Sequence, residues 1–401
     1  MAKLMVPEYE ALFKLIANAL FGANATIDLE SVDFEKLYSE AKHQTVLGIT
    51  FDVLPDSARD YNKAIYDEWQ CRTFHVLKNN VTQMYANAEL EKIFSDAKID
   101  ICTIKGFASA YYYPNKNLRQ MGDIDFIVPI NDIPKCKELL KANEFVCIDE
   151  DELHSYHIGY KKGKTHYEMH KNVTELLDEE GKITSLVSTI FDNSVKLPFD
   201  NFTLTAPNPV LHGIIMLLHM QKHMITGGGI GLRHLCDWAV FVNNFDTNEW
   251  TEKFEPILKE LGLWTFAKAM SKVANLYLKM PQKNWFEDID EDLAEDLLCD
   301  IMLGGNFGYK DTGRYQELIF INQHKEGAFS NTSILRKLPK KVREWHPVFR
   351  KSKIAFFFGL FLYPVRIAFL LLLGKRNNVF VEKRESGTQR NALYDKIFKK
   401  Q

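Results

Sequence analysis

Hydrophobic residues recur at helical spacing in the first and last parts of the chain and alternate with polar residues in the part between them. Apolar positions three and four residues apart predict helices over residues 7–55 and 60–97. Short apolar and β-branched runs predict strands between residues 98 and 205, and helical spacing returns over residues 207–325. The pattern therefore predicts an α+β protein, in which a small mixed sheet is flanked by N-terminal and C-terminal helical regions.

Shifts in composition and spacing predict four parts. A helical N-terminal lobe covers residues 1–97, and an α/β core covers residues 98–205. A helical domain follows over residues 206–325, after a boundary marked by two prolines. A basic and apolar C-terminal region covers residues 326–401.

Two predicted strands of the core carry the first candidate site residues. The run Ile99–Ile104 is followed by a turn and then by a second apolar run, Asp123–Val128. Alternate residues of a strand point to the same face of the sheet. We therefore expect Asp123 and Asp125 to point together, while the apolar residues between and after them face the core.

A predicted hairpin adds a third acidic residue. The stretch His154–Tyr160 alternates, Lys161–Lys164 supplies a turn, and Thr165–His170 returns. Glu168 shares a face of the returning strand with the histidines two residues before and two residues after it. The hairpin therefore brings Glu168 to the sheet that carries the two aspartates.

Neighbouring carboxylates repel each other, and a divalent cation offsets that repulsion. Mg²⁺ binds carboxylate oxygens together with substrate phosphates. We predict that Asp123, Asp125 and Glu168 are catalytic and bind Mg²⁺ or Mn²⁺. Because Mg²⁺ prefers oxygen ligands, His170 is interpreted as a group that orients Glu168. The alternative interpretations are a polar strand end for the aspartates and an exposed strand position for Glu168.

The ordered set of residues resembles the bacterial uncharacterised nucleotidyltransferases, a family of the superfamily that shares a polymerase-β-like core. The resemblance covers about residues 30–240. It rests on Lys105-Gly106, Arg119, Gly122-Asp123-Ile124-Asp125, Glu168-Met169-His170 and Leu232-Arg233 with Asp237.

The resemblance implies transfer of a nucleoside monophosphate from a nucleoside triphosphate to an acceptor hydroxyl or phosphate, with release of pyrophosphate. It implies nucleotide contacts from Lys105, Gly106, Ser109, Arg119, Gly122 and Arg233. The superfamily usually has Gly-Ser after its first strand, whereas this chain has Gly106-Phe107. We therefore expect Lys105, Ser109 or backbone amides to hold the phosphates. For Arg233, an ordinary helical pair with Asp237, four residues later, is the alternative.

Other kinds of site have less support in the sequence. His212, His219 and His223 are interpreted as core or surface histidines, because no further cluster completes a zinc site. The six cysteines are scattered singly, which is typical of a reducing compartment. The net charge of −3 gives no argument for nucleic-acid binding.

The C-terminal region combines positive charge with a long apolar run. Eight basic residues and one acidic residue lie between Arg336 and Lys353. The following 20 residues, 354–373, are almost wholly apolar but include Arg366, which would cost about 3 kcal/mol at the centre of a bilayer. We expect a cytoplasmic protein whose candidate contact with the inner face of the membrane is residues 336–373. A buried helix at residues 354–373 is the alternative.

These observations predict a metal-dependent nucleotidyltransferase. A small-molecule or glycan acceptor is favoured over nucleic acid, because the core shows no basic face interleaved with aromatic residues. One alternative is a phosphotransferase resembling the LicD/fukutin group, which transfers phospho-alcohols from CDP-linked donors to glycans. The other is a non-catalytic adaptor that binds nucleotide or docks on a membrane.

Overall fold

The computed structural model describes residues 5–149, 156–174, 176, 178, 181–199, 202–311, 313–318, 321, 339, 342–343, 345, 348–372 and 377–398. Its contacts divide the chain into two compact units, residues 1–312 with 396–401 and residues 313–395. The four parts predicted from composition stay a prediction.

The N-terminal region is helical, as the spacing of its apolar residues predicts. Its helices are α1 (Pro7–Phe21), α2 (Phe34–His43), α3 (Leu47–Phe51), α4 (Ala58–Tyr61) and α5 (Lys63–Asp96). Gly22 ends α1 in the left-handed conformation, with φ 61°. The Asp33 side chain accepts a hydrogen bond from the Lys36 amide and so caps α2. Asn62 caps α5 in the same way.

A five-stranded mixed sheet forms the centre of the first unit. Its elements are β1 (Cys102–Ile104), α6 (Gly106–Ala110), β2 (Ile124–Ile127), α7 (Ile133–Ala142), β3 (Val146–Asp149), β4 (His157–Lys162) and β5 (Thr165–His170). The strand order is β1-β2-β5-β4-β3. Strands β2 and β5 are parallel, and the other neighbours are antiparallel. This architecture confirms the predicted α+β class.

The two faces of the sheet differ as the alternating pattern predicts. Ile124 and Phe126 of β2 are buried in the core with Met169 of β5. The Phe126 ring packs edge-on against Phe94 of α5, with 5.7 Å between the ring centroids. Burying one face in this way fixes the register, because a slip of one residue would turn every apolar side chain outwards.

Some strand limits differ from the prediction. Strand β1 is shorter than the predicted Ile99–Ile104, and β2 begins at Ile124, one residue after Asp123. His154, at the predicted start of the hairpin, lies outside the described residues. Turn conformations and long-range pairing set these limits, and local propensity does not encode them.

The rest of the first unit is mainly helical. Its elements are α8 (Lys182–Ser188), β6 (Val195–Phe199), β7 (Phe202–Ala206), α9 (Pro209–Thr226), α10 (Leu232–Asn243), α11 (Thr247–Glu249), α12 (Glu255–Glu260), α13 (Trp264–Leu278) and α14 (Glu291–Gly304). Strands β6 and β7 form a separate hairpin. The side chains of α9 are mostly buried, which agrees with its apolar sequence.

The second unit contains the apolar C-terminal run. The helices in this part of the chain are α15 (Arg314–Glu317), α16 (Val348–Lys351), α17 (Lys353–Leu372) and α18 (Asn377–Ile397). The Arg390 guanidinium donates to Glu317 Oε2 at 3.1 Å and so ties α18 to α15. Among the described residues, no helix is long and apolar enough to cross a membrane.

The loop between α9 and α10 is held by close backbone packing. A Cβ atom added to Gly228 would lie 2.6 Å from the Cα atom of Gly308. A Cβ atom on Gly231 would lie 2.7 Å from the backbone nitrogen of Asn306. These glycines therefore let the loop rest directly on the backbone after α14, and this contact places the start of α10.

We predict that Gly228→Ala destabilises the protein by about 1–3 kcal/mol, because the new methyl group overlaps backbone atoms that have little freedom to move. The matched control is Gly122→Ala, since a Cβ atom there meets nothing within 4 Å. The free energy of unfolding from urea denaturation measures both effects. Equal losses in the two variants would contradict the packing argument.

Candidate active site

Helix α5 fixes the chain just before β2 through two side-chain amides. Asn80 Nδ2 donates to the carbonyl oxygens of Asn117 at 2.7 Å and Arg119 at 2.8 Å. Gln83 Nε2 donates to the carbonyl oxygen of Gly122 at 2.6 Å. A long helix buried against the sheet therefore determines where the acidic end of β2 begins.

The central strands bring two carboxylates and one imidazole together. Asp125 of β2 lies opposite Glu168 of β5 in the parallel register. His170 Nε2 lies 2.8 Å from Asp125 Oδ1 and 3.4 Å from Glu168 Oε2. One donor atom from each of the three residues lies within 4.8 Å of the others. This spacing is compatible with a single divalent cation bound by all three side chains.

Lys105 places a positive charge in the same cluster. Its Nζ atom lies 2.6 Å from Asp125 Oδ1 and 3.4 Å from His170 Nε2. The residue sits in the turn from β1 to α6 with φ 56° and ψ −128°, a conformation that non-glycine residues rarely adopt. Such a conformation costs on the order of 1–3 kcal/mol and persists where surrounding contacts fix it. Here the strained residue is the one whose side chain enters the cluster.

The ionisation of the two aspartates differs. Burial would raise the pKa of Asp125, but the Lys105 ammonium and His170 hold this pKa well below its ordinary value. For Asp123, whose side chain is in contact with solvent, desolvation by the surrounding protein and the neighbouring Glu168 and Asp125 carboxylates raise the pKa. Asp125 is therefore a compensated anion, whereas Asp123 is destabilised as an anion by the acids around it. An additional cation would relieve that repulsion.

The structure brings together two of the three predicted metal ligands. Asp125 and Glu168 lie together, and His170 joins them as a third potential ligand where we expected only an orienting group. Asp123 is exposed at the border of the site. Its role as a ligand stays a prediction. A set of two carboxylates and one imidazole suits a transition metal such as Mn²⁺ better than Mg²⁺, which prefers oxygen.

Arg119 is engaged in a buried network with α10. Its Nε and Nη2 atoms donate to the two oxygens of Asp237 at 2.7 and 2.6 Å. The Tyr113 hydroxyl donates to the same carboxylate at 2.7 Å. Burial alone would lower the pKa of Arg119, but Asp237 raises it above its ordinary value. The predicted phosphate contact of Arg119 therefore finds no support in this geometry and stays a prediction.

Arg233, in contrast, has little to compensate its charge. Asp237, the expected helical partner, is bound to Arg119. Of the three guanidinium nitrogens of Arg233, only Nη1 has a hydrogen-bond partner among the described residues, the carbonyl oxygen of Gln120 at 3.2 Å. Burial and the neighbouring Arg119 lower the pKa of Arg233 to about 10, so the group stays charged at neutral pH. It is the better candidate for binding an anion.

Three histidines and Arg233 lie around the ring of Phe307. The Arg233 guanidinium carbon lies 5.5 Å from the centroid of the Phe307 ring. The rings of His223 and His234 lie 4.5 and 5.1 Å from Phe307, and His219 lies 4.5 Å from His223. Burial lowers the pKa of His223 to about 3 and those of the other two well below their ordinary values. These imidazoles are neutral at pH 7 and can form hydrogen bonds without adding charge.

The remaining residues predicted to contact the nucleotide are Ser109, Gly106 and Gly122. Ser109 is buried, and its hydroxyl lies 3.5 Å from both His212 Nε2 and Met216 Sδ. Gly106 and Gly122 have no crowded neighbours. Helix α6 spans only five residues. These contacts stay predictions, and the helix is too short to offer phosphate a substantial dipole.

Comparison with protein families matches residues 30–279 to the family described as uncharacterised nucleotidyltransferase. The chain belongs to this family. The match confirms the resemblance seen in the sequence and extends it through α13. It supports nucleotidyltransferase activity in the general sense. Neither curated proteins nor solved structures give a match.

Sequence reasoning did not connect several residues that the fold brings together. The spacing of His219 and His223 places them on one face of a helix, and this signal was available in the sequence. Nothing local connects them with His234 or Phe307, which arrive from separate elements. The ion pair between Lys105 and Asp125 was equally hidden, because it depends on an unusual turn and on the pairing of β1 with β2.

We predict strong coupling between Lys105 and Asp125. Lys105→Met and Asp125→Asn are each expected to cost about 2–3 kcal/mol, because each leaves a buried partner uncompensated, and the double variant should cost less than their sum. Because the folded pKa of Asp125 is below its ordinary value, this contribution is present above about pH 4 and declines as the pH falls further. Urea denaturation at several pH values measures it.

The exposed pair of Lys92 and Asp96 is the control for this comparison of single and double variants. Its side chains are mainly in solvent, so Lys92→Met and Asp96→Asn should give no measurable coupling. Strict additivity at Lys105 and Asp125 would show that the ion pair does not stabilise the fold.

Proposed function

We propose that this chain is a divalent-metal-dependent nucleotidyltransferase that uses a nucleoside triphosphate. The observation that carries the proposal is the convergence of Asp125, Glu168 and His170 on one face of the sheet, within binding distance of a single ion. The positive charges of Lys105 and Arg233 nearby would attract a polyanionic substrate. The family membership agrees with the proposed reaction class.

Asp125, Glu168 and His170 would hold the first ion. We propose Asp123, which neighbours the carboxylates of Glu168 and Asp125, as a further ligand of this ion or of a second one. A divalent cation bound there supplies Lewis-acid stabilisation of phosphoryl oxygens and lowers the pKa of an acceptor hydroxyl. The donor set supports this fit, since it offers two carboxylates and an imidazole whose Nε2 already faces both acids.

The cations of the chain would hold the triphosphate. Lys105 lies within the carboxylate cluster, so its ammonium is positioned to contact phosphate oxygens near the ion. Arg233 offers a planar guanidinium, which binds phosphate through paired hydrogen bonds. The neutral histidines beside it can donate or accept without repelling Arg233. Such fixed donors would stabilise the negative charge that develops on the departing pyrophosphate.

The proposed transfer is a single displacement. An acceptor oxygen forms a bond to the α-phosphorus while the bond from that phosphorus to the pyrophosphate oxygen breaks. Glu168 takes the acceptor proton, since its carboxylate lies in the cluster and is partly accessible. The products are the nucleotidylated acceptor and pyrophosphate. We propose a small molecule or a glycan as the acceptor.

We predict pyrophosphate release that depends on Mn²⁺ or Mg²⁺ and is lost in Asp125→Asn and in Glu168→Gln. Removing one carboxylate from the cluster should lower the rate by roughly 100-fold or more, because electrostatic positioning supplies most of the catalysis. The assay contains the full chain, each of the four nucleoside triphosphates or CDP-choline, and a metabolite extract as a source of acceptor.

The exposed acid Glu252 provides the matched control, and Glu252→Gln should retain full activity. Cleavage of CDP-choline without release of pyrophosphate from any triphosphate would favour the phosphotransferase alternative. Nucleotide binding that survives Asp125→Asn, without turnover of any donor, would favour an adaptor.

We predict that Arg233→Gln weakens nucleoside triphosphate binding by about 10- to 100-fold, because one charge-assisted contact to phosphate is lost. Binding of Mn²⁺ alone should change little. The free energy of unfolding should stay constant or rise, since a buried cation without a carboxylate partner has been removed. Isothermal titration calorimetry and urea denaturation measure these quantities.

Arg72→Gln is the control for this experiment, because Arg72 is exposed and pairs with Glu68 on the surface of α5. Unchanged nucleotide affinity in Arg233→Gln, or a clear loss of stability, would indicate that Arg233 supports the fold and not the substrate.

A further inference from the structure

Helix α17, in the second unit, carries a continuous apolar face that is exposed. Six large apolar side chains on this helix have exposed fractions between 52% and 74%: Ile354, Phe357, Phe358, Phe361, Leu362 and Val365. Their spacing of three and four residues places them on one face over three helical turns. If a large apolar side chain offers roughly 200 Å², the face exposes on the order of 700 Å², more than the largest patch of a typical monomer.

The opposite face of α17 is already used for packing. A Cβ atom added to Gly359 would lie 2.5 Å from Val342 Cγ1 and 3.0 Å from the Phe349 ring. The rings of Trp345 and Tyr363 lie 5.6 Å apart. The helix is therefore held by one side within its own unit, and the exposed face is a separate surface.

The segment that contains this surface carries almost only positive charge. Residues 336–376 contain eleven basic residues and one acidic residue, Glu344. Among the described side chains, Arg343 and Arg366 are exposed. Arg366 lies over the Trp345 ring at 4.9 Å, and Arg343 over the Phe356 ring at 4.8 Å. An exposed apolar face in a basic segment suits an anionic bilayer, because the apolar side chains can enter the interface while lysine and arginine are attracted to lipid phosphates.

We propose that α17 docks this chain on an anionic lipid surface, with the six apolar side chains inserted between the headgroups and the positive charge of residues 336–376 attracted to lipid phosphates. The helix lies in the plane of the interface, so the second unit contacts one leaflet. A second copy of the chain fits this surface less well, because pairing two such faces would bring two basic segments together. The inference stands on the second unit alone and does not depend on the proposed reaction.

The experiment is vesicle co-flotation of the full-length protein. With vesicles of phosphatidylcholine and 30% phosphatidylglycerol, most of the protein should float, and with phosphatidylcholine alone at least tenfold less should float. Raising the salt to 0.5 M should reduce binding to the anionic vesicles, because exposed charges are then screened. Absence of flotation with the anionic vesicles would overturn the proposal.

The variant Phe357→Glu/Phe361→Glu tests the apolar face. It should reduce flotation at least tenfold, because it places two carboxylates in the surface that would enter the lipid. The matched control is Phe74→Glu/Tyr85→Glu on α5, whose two aromatic side chains are similarly exposed, at 62% and 63%. Flotation of Phe357→Glu/Phe361→Glu at the level of the control would overturn the proposal. Thermal denaturation of both variants identifies any loss of folding.

A third variant tests the contribution of the basic residues, and light scattering tests whether a second copy of the chain covers the apolar face. Arg350→Gln/Lys351→Gln/Lys353→Gln should lower flotation with anionic vesicles without changing the weak binding to phosphatidylcholine. Size-exclusion chromatography with light scattering should show the same mass for the wild type and for Phe357→Glu/Phe361→Glu. A dimer that the substitutions dissociate, together with no lipid binding, would assign the face to a second copy of this chain and overturn the lipid proposal.

Discussion

The ion pair between Lys105 and Asp125 is the interaction on which the arrangement of the candidate site depends. An ammonium group 2.6 Å from the largely buried carboxylate of Asp125 offsets the repulsion between this side chain and Glu168 on one face of a small sheet. The turn that carries Lys105 is strained, and the pairing of β1 with β2 holds it in place. The amides of α5 fix the chain before β2, and the parallel register places Glu168 beside Asp125. Local strain at Lys105 is thus stabilised by the contacts of its side chain with Asp125 and His170 and by the pairing of β1 with β2.

A second set of contacts places Arg233 without neutralising it. The Gln44 side chain accepts from the amide of Leu232, and glycine packing fixes the loop before α10. Arg119 occupies the carboxylate of Asp237 that would otherwise pair with Arg233. Arg119 is therefore neutralised by a structural ion pair, whereas Arg233 keeps an uncompensated charge. Because a partly buried cation without a carboxylate partner is destabilising, this division agrees with the proposed role of Arg233 in binding an anion.

Part of this arrangement could be predicted from the sequence, and the rest required the fold. The two-residue alternation of β2 and β5 was sufficient to place Asp125 and Glu168 on one face and Phe126 in the core. The order of motifs was sufficient to indicate the family. The partners of Lys105, Arg119 and Ser109 were not predictable, because each depends on a residue far away in the chain. The contact of His170 with Asp125 was not predictable either, since its distance to Asp125 is set by sheet register and not by spacing within its own strand.

The lysine ammonium in the cluster has a thermodynamic consequence. Since the carboxylate of Asp125 already has a counter-ion, a divalent cation that binds there exchanges with the ammonium and does not fill an empty site. The free energy of metal binding therefore includes the transfer of a positive side chain to a new environment. A triphosphate would receive that side chain, so metal and nucleotide should each raise the affinity for the other by the same factor. The two ligands would then bind as a cooperative pair, although neither needs to move the backbone.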